Sequence, residues 1–188
     1  MREVQAVGRK ADSAGAWHWL GADSLHLTVR FLGDSPAARL GELANRLRSL
    51  YLATAPFGAT STGVITLPQG GAPRVLGVAM HGPGLAALAR ETERVVADLG
   101  WPAEARTFFG HISLARTRPG ANPAAALACL RGLRARTPNG ADCALRVKSV
   151  TMFWSELTPR GAIYTPVETF ALRGANQEEG KVEWNRET

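Results

Sequence analysis

The sequence predicts an α+β fold of two pseudo-symmetric lobes. Each lobe is an antiparallel sheet with helices on the outside, and a cleft runs between the two. Three observations carry this. The order helix, strand, capped helix, strand, turn, strand occurs twice along the chain. Strand candidates alternate apolar and polar residues, while helix candidates repeat leucines three and four apart, so both periods are present. Each half also carries a His-x-Ser/Thr pair at an equivalent strand, His26-Leu27-Thr28 and His111-Ile112-Ser113. The expected limits are about 18–80 for lobe 1 and 105–172 for lobe 2, in one domain over 1–174, with a polar tail at 175–188.

An amphipathic helix is predicted from Met1 to about Ser13. By internal symmetry a strand should precede it, as 73–80 precedes the helix at 85–99. The first strand of lobe 1 is therefore expected to be missing from this sequence, with about 10–20 upstream residues. Residues 24–33 read as a strand, Leu25, Leu27, Val29 and Phe31 alternating with His26, Thr28, Arg30 and Leu32. Ser35-Pro36 reads as an N-cap with proline at the first helical position, and Leu40, Leu43, Leu47 and Leu50 continue at helical spacing. Strands follow at 57–67 and 73–80 around the Gly70-Gly71 turn. A helix from Leu85 to Leu99 has Leu85, Leu88, Ala89, Thr92, Val95, Val96 and Leu99 on one face, and Gly100 stops it. In the second half a strand is expected at 107–116. A capped helix follows from Asn122-Pro123, then strands at 145–154 and 162–172 around the turn at 158–161.

Apolar residues make up 45% of the 188 and charged residues 20%, which excludes a disordered chain. No run of about 18 apolar residues is present, so no membrane span is expected. The opening residues Met1-Arg2-Glu3-Val4 lack the apolar core of a secretory signal, which leaves a cytoplasmic location as the expectation. Cys129 and Cys143 have neither CxxC spacing nor flanking ligands, so they read as small reduced hydrophobes and no metal site is expected. The net charge is +6, and the tail 175–188 carries four acidic and two basic residues, so the positive charge sits in the body. Nineteen of the 22 bases are arginine. That pattern fits either a compositional bias or a polyanionic partner.

The chemistry centres on the two histidine pairs. Residues i and i+2 of a strand share a face, so His26 goes with Thr28 and His111 with Ser113, while Leu27 and Ile112 turn inward. Two imidazoles and two hydroxyls converging on one cleft suit phosphoester hydrolysis. One neutral ring takes a proton from water, one protonated ring gives a proton to the leaving oxygen, and hydroxyls with nearby arginines hold the phosphoryl oxygens. His18, among Trp17 and Trp19, reads as structural, and His81 as a loop residue. Arg30 shares the His26 face if the strand is regular; a surface salt bridge is the other reading. Of Phe108 and Phe109, alternation sends one to the core and leaves the other to solvent or to stacking on a base.

The stretch His26-Leu27-Thr28-Val29-Arg30-Phe31-Leu32-Gly33-Asp34, with His111-Ile112-Ser113-Leu114-Ala115-Arg116, resembles the 2H phosphoesterase superfamily. It is most similar to the branch of RNA 2′,3′-cyclic phosphodiesterases, also called the 2′-5′ RNA ligase family. Pro73-Arg74-Val75-Leu76 resembles that family's strand after the first lobe, and Ser155, Gly161, Ala162 and Tyr164 its closing hairpin. The resemblance covers about residues 2 to 173. It implies His26 as proton donor, His111 as proton acceptor, and Thr28 and Ser113 on the phosphate with Arg116 beside it, with no metal or other cofactor; Arg30 joins the substrate-binding residues only through its place on the His26 face. The substrate it implies is an RNA with a 2′,3′-cyclic phosphate end, tRNA-like fragments included, hydrolysed by a monomer to a 2′-phosphate. The reverse reaction is 2′-5′ ligation. Gly110 stands where the family usually has proline, which would loosen the approach to His111. Two alternatives stay open: a phosphodiesterase for small cyclic nucleotides or 2′-5′ oligonucleotides, and a non-catalytic module that binds RNA ends.

Overall fold

The structure, a computed structural model, describes residues 1–137, 143–158 and 161–174. Residues 159 and 160 of the turn expected at 158–161, and the tail from 175, lie outside them. The elements are α+β as expected. They run α1 (Arg2–Ala11), β1 (Trp17–Trp19), α2 (Ala37–Ala53), β2 (Phe57–Leu67), β3 (Val75–His81), α3 (Pro83–Asp98), β4 (His111–Thr117), α4 (Pro123–Arg136), β5 (Ala144–Val147), β6 (Ser149–Thr158) and β7 (Gly161–Ala171). No described helix is long and apolar enough to cross a membrane.

The compact units do not follow the expected lobe limits. One comprises residues 1–35 and 57–146, the other 36–56 with the described residues from 147 on. The first holds a five-stranded sheet in the order β1-β4-β3-β2-β5. Strand β3 from the first half and β4 from the second pair directly, Ala79 with His111 and Val78 with Ile112. Both histidine motifs therefore belong to this one unit. The residues expected as one strand at 145–154 divide at Lys148: β5 joins the five-stranded sheet, while β6 forms a two-stranded sheet with β7 among the described residues. In the second unit α2 packs on this hairpin through Tyr51 against Phe170 and through the Arg48–Glu168 ion pair, 2.5 Å.

The first unit's core forms where the inward faces of its strands meet α1, α3 and α4. Leu76, Val78, Ile112, Leu114, Ala115, Leu85 and Leu133 are all buried in it. Six of the seven residues expected on the α3 face are buried, and Gly100 ends the turn after α3 at φ +81. Helix α4 starts as its sequence requires, Asn122 accepting from the Ala124 N–H with Pro123 at the first helical position. Helix α1 is fastened by the buried Gln5, whose Nε2 donates to Leu20 O (3.0 Å) and Leu114 O (3.2 Å). Cys129 is buried, and burial first, then the charge of Asp12, pushes its thiol up to about 11, which leaves it an inert packing group at neutral pH.

Gly77 sits where β3 and β4 slip register. A Cβ there would lie 2.7 Å from Ile112 O. Gly77→Ala must push β4 away beside Ser113. The expected cost is about 1–3 kcal/mol, read as a lowered Tm, with a fall in activity; unchanged melting and activity would show that the strands can part without consequence.

Candidate active site

One edge of β4 is taken by β3, and the other is shared by two pieces of chain. Strand β1 comes first, pairing Trp17 with Thr117, His18 with Arg116 and Trp19 with Ala115. A 3₁₀ turn at Ala22–Ser24 then loops out, and the chain returns to the same edge at Leu27, which bridges Ile112 in antiparallel sense. The ten-residue strand expected at 24–33 is thus reduced to a single bridge, because the chain has left the ladder for the turn and leaves it again beyond Thr28. Alternation holds over the part that matters. Leu25 and Leu27 pack against the core, which turns His26 and Thr28 to the other face. Phe31, expected inside, is exposed.

The bridge fixes the site's register. Around the pair of Leu27 with Ile112, His26 lies across from Ser113, and Thr28 across from His111. Neighbouring strands stand about 5 Å apart, so each imidazole faces the other motif's hydroxyl. All four residues are half-buried, enough to be held and still open to a ligand.

The two rings are fixed in the same way. His26 Nδ1 lies 2.9 Å from Ser24 O, and His111 Nδ1 lies 2.9 Å from Phe109 O. A carbonyl oxygen only accepts, so Nδ1 carries the proton in both rings. Nε2 is then the nitrogen that can take or give a proton in each.

Arg116 reaches this face through a bulge. Five residues from His111, unbroken alternation would send it to the opposite side. The register shift at Leu76/Gly77 gives β4 one extra residue, and Arg116 pairs with Val75 on the face that carries Gly77 with Ser113 and Ala79 with His111. It is exposed there, next to His18 of β1.

Arg30 is placed elsewhere. Its Nε donates to Glu93, and its terminal nitrogens donate to Phe31 O and Pro102 O. The guanidinium is held by Glu93 of α3, by Pro102 in the loop after it and by the neighbouring Phe31 carbonyl, so it ties the His26 segment to α3. Glu93 Oε1 also accepts from the Glu104 N–H at 2.9 Å. Glu104 is in turn held below the ordinary carboxylate range, chiefly by the hydrogen bond from Arg106. Ser35 does not cap α2; that position belongs to Pro36, and Ser35 Oγ accepts from Trp101 Nε1 at 2.9 Å. Gly110 is buried rather than loose: a Cβ there would meet Met80 O at 2.7 Å. His81 closes β3 instead of standing in a loop, and Glu93 had no motif to mark it. Among the described residues no group of three or more His, Cys, Asp or Glu could hold a metal ion.

The chain matches no family model. A curated RNA 2′,3′-cyclic phosphodiesterase of Aquifex aeolicus is 31% identical over 174 residues, covering 91% of this chain and 90% of that one. The chain belongs to the RNA 2′,3′-cyclic phosphodiesterase family. A second member, from Thermus thermophilus, is 31% identical over 175 residues, covering 87% of this chain and 79% of its own length. Among solved structures, TT0787 of Thermus thermophilus is similar with a TM-score of 0.73 at 28% identity, covering 93% of this chain and 94% of that one. Escherichia coli LigT complexed with 3′-AMP matches in fold, TM-score 0.67 at 23% identity over 92% of each chain. The chain is thus a phosphodiesterase of this family.

Proposed function

We propose that the protein hydrolyses the 2′,3′-cyclic phosphate at the end of an RNA strand to a 2′-phosphate, with His26 as proton donor and His111 as proton acceptor. The observation that carries this is the crosswise quartet at the bridge of Leu27 with Ile112, in which both imidazoles hold Nδ1 on a backbone carbonyl. Names of the relatives supply the substrate class.

In this mechanism neutral His111 takes a proton from a water through Nε2 as the water oxygen attacks phosphorus. The P–O3′ bond breaks, and protonated His26 delivers its Nε2 proton to the departing O3′. Both protons are accounted for, and the rings exchange protonation states, to be reset by solvent. Thr28 and Ser113 donate to the non-bridging oxygens, and the exposed guanidinium of Arg116 offsets the charge that builds there. The two imidazoles supply both proton transfers, so the reaction is expected to run without a metal. With a 5′-hydroxyl end in place of the water, His111 would take its proton, His26 would again protonate the departing O3′, and the product would be a 2′-5′ bond.

The test is a product assay on an RNA oligonucleotide ending in a 2′,3′-cyclic phosphate, with EDTA present. A 2′-phosphate end at an undiminished rate is the expected result. A 3′-phosphate product would overturn the acid–base assignment, and dependence on added metal would overturn the metal-free mechanism. Turnover of the mononucleotide cyclic phosphate but not of the oligonucleotide would replace RNA by a small nucleotide as substrate.

A further inference from the structure

Gln5 is one of two buried polar side chains among the described residues, and the mechanism gives it no part. Its surroundings on α1 are apolar or tight: Val4 beside it is buried, and a Cβ at Gly8 would run into the Trp19 ring. A buried amide is costly unless its hydrogen bonds are made, so the partners of Gln5 are informative. Its Nε2 lies 3.0 Å from Leu20 O and 3.2 Å from Leu114 O. Both are carbonyls that only accept, so the nitrogen faces them, and its two hydrogens serve one each. Leu114 is the extra residue of the β4 bulge: Gly77 pairs with Ser113 and Leu76 with Ala115, which passes Leu114 over. The Leu114 carbonyl also accepts from the Leu20 N–H at 3.0 Å. Leu20 follows the last residue of β1, where the chain leaves β4 for the turn that carries Ser24, the acceptor of His26 Nδ1. Asp12, just past the other end of the helix, accepts from the Ala16 and Trp17 N–H groups and from Trp19 Nε1. Helix α1 is thus fastened to both ends of β1, and Gln5 to the bulge itself.

We infer that Gln5 is a positioning residue for Arg116: its amide clamps the Leu114 carbonyl and so holds the bulge that turns Arg116 to the face of His111 and Ser113. This rests on the function proposed above, in which Arg116 offsets charge on the phosphoryl oxygens. Side chains alternate along a strand, so a β4 without its extra residue would carry Arg116 to the core face. Gly77 lets β3 come close to the bulge on one side; the Gln5 amide closes the other. With the amide gone, the Leu20 N–H alone among the described donors holds Leu114 O, and Leu20 O loses its donor from α1. The bulge is then free to shift, and the guanidinium two residues on shifts with it. A methionine would fill much the same space with no amide to desolvate, so the carbonyls account for a polar residue at this buried position.

The experiment is a double-mutant cycle of Gln5→Met with Arg116→Ala, read by kcat/KM on an RNA ending in a 2′,3′-cyclic phosphate and by calorimetry of 2′-AMP. Val4→Ala, a core change on the same helix, controls for lost stability alone. In the wild type Arg116→Ala should cost about tenfold or more in both readouts. Gln5→Met should cost about as much. Arg116→Ala added to it should then cost about twofold at most, because the guanidinium has already lost its place. Val4→Ala should lower Tm and keep the full cost of Arg116→Ala. Gln5→Asn, whose amide is one methylene short, should behave as Gln5→Met does, and it carries the cycle if the methionine variant does not fold. Losses that simply multiply would overturn the positioning role. So would a Val4→Ala protein in which Arg116→Ala costs nothing, or two Gln5 variants that both fail to fold. No turnover of any cyclic phosphate, with 2′-AMP binding still coupled between Gln5 and Arg116, would sink the reaction and keep the role of Gln5. Turnover with Arg116→Ala harmless in both readouts would do the reverse.

Discussion

His111→Ala should lower kcat/KM by about 10²–10⁴-fold on a cyclic-phosphate RNA, and His26→Ala by as much, the usual contribution of one positioned acid or base. His111→Asn sharpens the test. An asparagine amide can donate to Phe109 O much as Nδ1 does, but it puts nothing at the position of Nε2. The asparagine variant should therefore fold as the wild type does and be as inactive as the alanine variant. In the wild type kcat/KM should pass through a maximum with pH, because one ring must be protonated while the other is not. The acidic limb should vanish when His111 is replaced and the basic limb when His26 is. Steady-state rates across pH on the three proteins decide it. Either single variant with near-full activity would remove that histidine from the mechanism.

The second large effect belongs to residues that touch no substrate. Among the described residues, only one bridge fastens the His26 segment to the sheet. Its other anchors are side chains, the Arg30 fork on Glu93, Phe31 O and Pro102 O, and the bond from Trp101 to Ser35. The Arg30 side chain is 12% exposed, so its ion pair is largely shielded from water. Glu93→Ala strands a half-buried guanidinium and should cost about 1–3 kcal/mol. It should also lower kcat roughly tenfold or more, since small misplacements of a catalytic group are felt strongly. Arg30→Lys should be impaired in the same way, because an ammonium cannot span three acceptors as the fork does. Thermal melts with kcat and KM would check this. Full activity in Arg30→Lys, or a loss confined to KM, would show that Arg30 acts by charge alone and does not position His26.

What the sequence made legible was local. The Asn122-Pro123 cap, the α3 face and the strand limits at 57–67 were readable because each rests on a period or a cap within a few residues. Alternation alone also put His26 with Thr28 and His111 with Ser113, whereas the two pairs were expected to meet across a cleft between lobes and not on one sheet. The rest depended on long-range partners. Arg30 looked like a phosphate ligand because strand geometry was carried through residue 30; the chain leaves the ladder first, and Glu93, 63 residues away, takes the guanidinium. Arg116 reaches the site only because of a bulge facing Gly77, a feature set by the neighbouring strand. The expected lobe limits placed β3 and β4 apart because a repeat in sequence order was taken as a boundary in space, whereas hydrogen bonding joins the halves in one sheet. His81 was read as a loop residue because a histidine next to Gly82-Pro83 has a loop's composition, whereas it ends β3. Its place opposite the Phe109 end of β4 appears only once β3 and β4 are in register.

The single bridge at Leu27 also protects the site against error. Side chains of a strand alternate, so a slip of one position would carry His26 and Thr28 into the apolar interior and push Leu25 and Leu27 out into water. Two uncompensated polar groups inside and two leucines outside make that arrangement costly. The core thus proofreads the chemistry: a molecule whose leucines are home has its imidazoles correctly aimed, and a misaligned pair of histidines is excluded by the same packing that folds the chain.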